Sequence, residues 1–174
     1  MSWKIYTPLE IDGDVHEFSN VNPANIELRK WVVKDAGFEV DQDMEFCLTF
    51  KSAPESQKVF EKGIRHFKNV LRRKCMTRSE QRKAIKNPKY DLKMFATIEG
   101  LLGDDIHCHV VAIIPKGMSF IRFKTAIRNS WYRIYGAGYQ FDFQIYRGAK
   151  TIQYNSKGIG VFETDGLCSE LTNF

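Results

Sequence analysis

Residues 91–114, DLKMFATIEGLLGDDIHCHVVAII, decide the fold because they have the pattern of a β-hairpin. The two flanks, 91–99 and 106–114, are rich in apolar and β-branched residues. The segment between them, GLLGDD, places Gly and Asp where a turn needs them. The stretch therefore predicts two neighbouring antiparallel strands, and it places two histidines and a glutamate on them.

The position of the turn predicts which residues face each other. If the turn is centred on Gly103, Glu99 lies opposite His107. Thr97 then lies opposite His109. Residues two apart on a strand share a face, so Glu99, His107 and His109 converge on one patch. Opposed Cβ atoms are about 5 Å apart, which suits two ligands of one divalent ion. The hairpin alone is equally compatible with polar residues on a sheet surface.

Helix and strand periodicities continue on both sides of this hairpin. An apolar stripe at helical spacing (Phe123, Ile127 and Trp131) follows it, and an alternating strand precedes it. The further elements predicted are helices at 22–38, 56–75, 119–136 and 149–157, strands at 45–51 and 139–146, and a basic loop at 77–90.

The order of these elements predicts the fold class. After an N-terminal extension, the chain runs β–α–β–β–α–β–α. The first six elements are those of a split βαβ, ferredoxin-like α+β fold, an antiparallel sheet with helices on one face. The other face is left for a ligand or for the final short helix. We predict an extension at 1–43, a main domain at 44–160 and a tail at 161–174.

Composition narrows the class of protein. Apolar residues make up 43% and charged residues 27%, as in ordinary globular domains. An apolar run of eighteen residues and a secretory leader are both lacking, so we expect no membrane span and an intracellular location. The four cysteines are scattered without a CxxC pair, which favours reduced thiols over a disulfide or structural zinc framework.

Charge is divided sharply along the chain. Residues 1–55 contain five Lys or Arg against eleven Asp or Glu, whereas residues 56–90 contain twelve against two. A solvated helix face is the ordinary explanation of such a run. This run, however, extends through a helix and the predicted loop after it, which favours a polyanionic partner. Nucleic acid is favoured over membrane because the segment 77–90 has few large apolar residues.

Tyr154 and Lys157 lie three apart in TIQYNSKG (151–158), on the last predicted helix. Residues at this spacing point the same way, so the phenol and the ammonium share one surface. A tyrosine can attack phosphorus and form a covalent link. Because a phenol is largely protonated at neutral pH, it needs help from a divalent ion and a cation. An ordinary amphipathic helix could place the same pair.

Taken together, these motifs resemble the HUH endonuclease superfamily, in particular the replication-initiator (Rep) proteins of rolling-circle replicons. The CLTFK stretch (47–51) is similar to the first Rep motif, a strand beside the site. HCH (107–109) resembles the His–hydrophobe–His motif, with Glu99 as the acidic ligand. YNSKG (154–158) resembles the YxxK motif. The tyrosine follows the histidines, which argues against conjugative relaxases.

The resemblance implies a metal-dependent enzyme that nicks single-stranded or hairpin DNA at a replication origin and later rejoins the ends. Glu99, His107 and His109 would hold Mn²⁺ or Mg²⁺, Tyr154 would attack, and Lys157 would assist. It would act in a bacterial cytoplasm for a plasmid or phage, or in the host nucleus for a eukaryotic virus. The residues expected to contact DNA are Thr49, Lys51, Arg72, Arg73, Lys74, Arg78, Arg82 and Lys83.

Several alternatives stay open at this point. A single-tyrosine HUH transposase would share the chemistry and differ in its DNA. A non-catalytic module could bind single strands by charge and stacking. A 2H-type phosphoesterase is disfavoured because it needs two separate HxT/S motifs. No GxxxxGK[ST] motif occurs, so either the protein acts with a host helicase and other replication proteins, or the chain is an isolated nuclease domain.

Overall fold

The computed structural model describes residues 7–11, 14–18, 23–51, 54, 56–100, 106–156 and 166–173. The strands are β1 (Thr7–Ile11), β2 (Asp14–Phe18), β3 (Met44–Phe50), β4 (Met94–Glu99), β5 (His107–Ala112), β6 (Ala137–Ile145) and β7 (Gly166–Leu167). The helices are α1 (Pro23–Asp35), α2 (Gln57–Cys75), α3 (Arg78–Lys86), α4 (Phe120–Trp131) and α5 (Ala149–Asn155), with a 3₁₀ turn at Pro88–Tyr90. Among the described residues, no helix combines the length and the hydropathy that a membrane span requires.

The main sheet has five strands in the order β6-β3-β5-β4-β7, and each neighbouring pair is antiparallel. The crossover from β3 to β4 contains α2, and that from β5 to β6 contains α4. The four strands β6-β3-β5-β4 thus form the split βαβ arrangement, and the predicted ferredoxin-like α+β fold is confirmed. β1 and β2 form a separate two-stranded sheet.

One face of the main sheet is covered by α2 and α4. Trp131 of α4 is fully buried and meets Phe50 and Phe67 edge-on, with ring centroids 4.9 and 5.5 Å apart. The larger buried side chains of this core are Met44, Phe46, Leu48, Phe60, Ile64, Phe67, Leu71, Met94, Phe123, Ile127 and Trp131. Most come from the alternating and helical patterns visible in the sequence, so hydrophobic burial determines which face each element presents.

The opposite face of the sheet carries a smaller core. Val32 of α1 and Ile152 of α5 are buried there against Phe95 and Val111. The final helix therefore lies on the face that the prediction left for it or for a ligand. The helix α1, which belongs to the predicted extension, lies beside α5. The sequence predicted this helix but not its position.

The segment 77–90, predicted to be a loop, is largely helical. Thr77 caps α3, and the side chain of Glu80 returns to the Thr77 backbone N–H in a capping box. This T-x-x-E signature and the helix-forming residues after it outweigh the high charge, so the loop prediction is wrong. Several boundaries also differ by a few residues: the helix predicted at 119–136 ends at Trp131, for example, and β6 begins at Ala137.

A buried ionic cluster joins α2 to the start of β4. The Asp91 side chain is 1% exposed and lies 3.3 Å from Lys68 Nζ. It also accepts two hydrogen bonds from the Arg72 guanidinium, one of them 2.7 Å long. Burial acts to raise the pKa of Asp91, but the Arg72 hydrogen bonds and the two cations outweigh it and hold that pKa below its usual range.

Candidate metal centre and active site

The predicted register of the hairpin is confirmed. Glu99 of β4 pairs with His107 of β5, and Thr97 pairs with His109. The pairing runs without a shift from Met94 to Glu99. All three candidate ligands therefore lie on the sheet face opposite α2 and α4, as the alternation of a strand requires.

The three side chains converge on one point. Glu99 Oε2 is 3.1 Å from His107 Nε2, and Glu99 Oε1 is 3.8 Å from His109 Nε2. One ligand atom from each residue lies within 4.8 Å of the others, so the cluster could hold a metal ion. The side chains are 14% (Glu99), 30% (His107) and 12% (His109) exposed, which fixes the donors while leaving a path for solvent.

The donor set constrains what the cluster can do. Two imidazoles and one carboxylate occupy about half of an octahedral shell, so coordination positions remain for water or substrate. Such a mixed nitrogen and oxygen set accepts Mg²⁺ and Mn²⁺ as well as Zn²⁺. An open position is what distinguishes a catalytic site from a closed structural one.

The predicted nucleophile lies beside this cluster. The Tyr154 ring centroid is 5.7 Å from that of His109, with the ring planes at 87°. Tyr154 is 56% exposed, so its phenol is accessible to a large substrate. α5 thus brings the tyrosine to the face that carries the histidines. Lys157, the predicted assisting cation, lies outside the described residues.

Polar contacts fasten α5 to the sheet. Thr151 Oγ1 donates to Glu45 Oε2 over 3.1 Å, and the Thr97 hydroxyl donates to the carbonyl of Asn155. Burial raises the pKa of Glu45, although the hydrogen bond from Thr151 opposes this effect. Together these bonds tie both ends of the short helix to β3 and β4.

Two clefts flank the histidines. The first, of about 410 Å³, is lined by Glu45, Phe46, Cys47, His109, Asp142, Gln144, Arg147, Lys150, Thr151 and Tyr154. The second, of about 480 Å³, is lined by Thr49, Phe50, Lys51, Ile106, His107, Gly138, Tyr139 and Gln140. Each cleft includes one histidine of the cluster. An extended polymeric ligand could therefore run from one cleft to the other across the cluster.

Charge is segregated in the first cleft. Glu45 and Asp142 belong to strands of the sheet, whereas Arg147 lies two residues before α5 and Lys150 lies in its first turn. Cys47 of β3 pairs with His109 on one side and with Asp142 on the other. The Cα atoms of Asp142 and His109 are therefore about 10 Å apart at the usual strand spacing. Such a cleft suits a ligand that carries both an anionic group and hydrogen-bond donors.

Cys47 lies in this cleft as a neutral thiol. Burial raises its pKa to about 12, and the carboxylates of Asp142 and Glu99 add to the effect. Because a thiolate is the reactive form of cysteine, Cys47 does not supply a nucleophile at neutral pH.

Two of the predicted DNA-contacting residues lie at the site. Thr49 pairs with His107 across the sheet, and its hydroxyl donates to the Gln140 carbonyl over 2.9 Å. Lys51 Nζ is 2.7 Å from the Tyr139 hydroxyl and 4.1 Å from the centre of its ring. Both residues line the second cleft.

The other predicted contacts lie away from the site. Arg72 is engaged by buried Asp91, so we assign it a structural role instead of the predicted phosphate contact. The exposed residues Arg73, Lys74, Arg78, Arg82 and Lys83 lie at the end of α2 and along α3. This basic surface adjoins the start of β4, whereas Glu99 lies at its end, about 17 Å along the strand.

Sequence reasoning missed Asp142, Arg147 and Tyr139. The alternation in YQFDFQIY (139–146) contained a usable signal, because Gln140, Asp142 and Gln144 occupy every second position. That pattern predicts a polar sheet face, the one that carries the histidines. Only the structure places this polar row beside the candidate ligands.

No protein-family model, curated protein or solved structure matches the chain. The resemblance to HUH endonucleases therefore rests on the three sequence motifs and stays a prediction.

Proposed function

We propose that this protein is a metal-dependent enzyme that nicks and rejoins single-stranded DNA at a rolling-circle replication origin. The observation that supports this most directly is the position of the Tyr154 ring, 5.7 Å from His109 in a Glu–His–His cluster. A tyrosine nucleophile and an open divalent-ion site on one accessible surface suit phosphoryl transfer from DNA.

In the proposed reaction the Tyr154 oxygen forms a bond to phosphorus, and the bond from phosphorus to the 3′ oxygen breaks. The phenol loses its proton to solvent and the leaving 3′ oxygen takes one up, giving a free 3′ hydroxyl and a 5′ phosphotyrosine. A divalent ion held by Glu99, His107 and His109 would polarise the phosphate and stabilise charge on the leaving oxygen. Attack by a 3′ hydroxyl reverses the step and rejoins the strand.

The clefts supply the substrate path in this proposal. Arg147 and Lys150 provide charge for phosphates on the side of Tyr154, and Lys51 does so beside His107. The basic surface on α2 and α3 would contact more distant phosphates, such as those of an origin hairpin. Binding through both regions should weaken steeply with salt, because each contacted phosphate releases counterions.

A covalent adduct tests the proposal. Labelled single-stranded oligonucleotides, first enriched from a random pool on immobilised Tyr154→Phe protein, are incubated with wild type and Mn²⁺. A denaturing gel should show a shifted band that is lost with EDTA and with Tyr154→Phe. Tyr90→Phe is the matched control. Tyr90 is also exposed, but it precedes β4 and so lies near the end of that strand opposite to Glu99.

The alternative functions separate in the same experiment. Oligonucleotides that bind wild type tightly but never form an adduct would favour a non-catalytic binding module. An adduct that survives in Tyr154→Phe would assign the nucleophile to another residue. Peptide mapping of the adduct by mass spectrometry identifies the modified tyrosine directly.

A further inference from the structure

Arg29 of α1 is a buried cationic side chain. It contacts Ser156 at the C-terminal end of α5, the helix that carries Tyr154. Arg29 is 3% exposed. Its Nε donates to Ser156 Oγ over 2.7 Å, and its Nη2 donates to the Ser156 carbonyl over 3.1 Å. These bonds join residues 127 positions apart in the chain. Arg29 therefore links the predicted N-terminal extension directly to α5.

The chemistry of a helix end explains why an arginine lies there. The last carbonyls of a helix have no partner within the helix and carry partial negative charge, which a cation stabilises. Burying a guanidinium is costly, and burial lowers the pKa of Arg29. Two hydrogen bonds to Ser156 offset part of this cost. The contact is thus specific, since a shorter or neutral side chain could not provide both bonds.

Contacts on both sides of Tyr154 leave it little freedom to move along the sheet. Ser156 Oγ, which accepts from Arg29, also donates to the Ile152 carbonyl over 2.6 Å. Ile152 is buried with Val32 of α1 and with Ala36, the residue that follows α1. Tyr154 itself is 56% exposed, so its position depends mainly on the backbone of α5.

We propose that Arg29 is a positioning residue, which holds the C-terminal end of α5 so that Tyr154 faces the Glu99–His107–His109 cluster. This inference rests on the proposed function, and it gives the N-terminal segment a role in the site. A displacement of about 1 Å between reacting groups can lower a rate roughly 100-fold. Loss of Arg29 should therefore reduce the rate of attack more than it reduces binding.

The test compares Arg29→Gln with Lys30→Gln. Lys30 follows Arg29 on α1 and is partly exposed, with its amine 3.0 Å from Glu27, so this control removes the same charge without touching α5. Hydrogen exchange by mass spectrometry reports on the segment 149–156 without any substrate. Single-turnover adduct formation, oligonucleotide affinity and the Mn²⁺-induced Tm shift are measured on the same proteins.

For Arg29→Gln we expect faster exchange in 149–156, with the β-sheet peptides unchanged. Adduct formation at saturating DNA should slow by about 10- to 100-fold. The Kd for DNA and the Mn²⁺ shift should stay within about two-fold, because the cluster and the clefts remain. Arg29→Lys should recover part of the rate, and Lys30→Gln should match wild type.

Two results would overturn the inference: unchanged exchange in 149–156, or faster exchange with a wild-type adduct rate. If Arg29→Gln does not fold, Ser156→Ala removes one of the two bonds and should change exchange and rate in the same direction, by less. A wild-type protein without an adduct would instead overturn the proposed function. The exchange data would then still decide whether Arg29 fixes α5.

Discussion

Glu99 and His107 lie directly opposite each other on neighbouring strands, with Glu99 Oε2 3.1 Å from His107 Nε2. His109 joins them because it is two residues further along the same strand. The candidate metal centre is therefore a property of one hairpin and its register. If either strand slipped by one residue, the side chains of that strand would move to the opposite face of the sheet.

Metal binding should be measurable as thermal stabilisation. At a Mn²⁺ concentration ten times the Kd, binding adds about 1.4 kcal/mol to the free energy of unfolding, and Tm should rise by about 4 °C. His109→Ala removes one ligand and should abolish the shift. His66→Ala, an exposed residue of α2, should retain it. An unchanged shift in His109→Ala would place the ion elsewhere.

Gly138→Ala should damage the wall of the second cleft. A Cβ at this position would overlap Thr49 Oγ1 and lie 2.7 Å from the Thr49 carbonyl oxygen. Because backbone must move to relieve this contact, we expect a loss of about 2 kcal/mol in unfolding free energy, measured with urea. Gly166→Ala is the control, since no atom lies within 4 Å of its added Cβ. Equal stabilities for the two variants would contradict the close approach of β3 and β6.

Asp91→Asn should destabilise the fold in a pH-dependent way. It leaves Lys68 and Arg72 without their shared carboxylate, at a cost of about 3 kcal/mol near pH 7. The folded pKa of Asp91 is lowered, so its contribution is complete above the unfolded value of about 4 and is lost as pH falls below that value. The stability difference between wild type and variant, from urea unfolding, should therefore shrink in acid.

Asp41→Asn provides the comparison for this measurement. Asp41 is exposed and has a positive φ that asparagine also tolerates. Its replacement should change stability by less than about 0.5 kcal/mol. A difference between wild type and Asp91→Asn that stays constant from pH 7 to pH 3 would mean that the charge of Asp91 is not what stabilises the cluster.

The basic surface on α3 should affect affinity without affecting the chemical step. Replacing Arg82 and Lys83 with Gln removes two cations on α3, a helix near the start of β4, whereas Glu99 lies at the other end of that strand. The slope of log K against log salt should fall by about 1.4 for single-stranded DNA. The adduct rate at saturating DNA should be unchanged, whereas Lys51→Gln, beside His107, should lower it. An unaltered salt slope would remove α3 from the DNA-binding surface.

Local patterns explain what the sequence could predict. The apolar and β-branched residues of 91–99 and 106–114 predicted the two strands, and the Gly–Asp turn predicted the pairing of Glu99 with His107. Helical spacing of Phe123, Ile127 and Trp131 identified the buried side of α4. In both cases the signal lies within one short stretch of the chain.

Contacts between distant segments explain what the sequence could not predict. The sequence around Arg29 contains no signal that it pairs with Ser156. Likewise, no local pattern distinguishes Arg72, which binds Asp91, from the exposed basic residues that follow it. The high charge of 77–90 favoured a loop prediction, although Thr77 and Glu80 have the spacing of a capping box. Burial and tertiary partners decide such cases, and these become visible only once the chain is folded.

The 127-residue separation between Arg29 and Ser156 also bears on how the site assembles. The three candidate ligands lie within eleven residues and need only a hairpin, which forms quickly. The position of α5 also depends on its contact with α1, and contacts so distant in sequence form slowly. In a nascent chain the candidate ion-binding cluster would therefore form before Tyr154 is placed beside it, because the contact between α1 and α5 has to wait for residues 149–156.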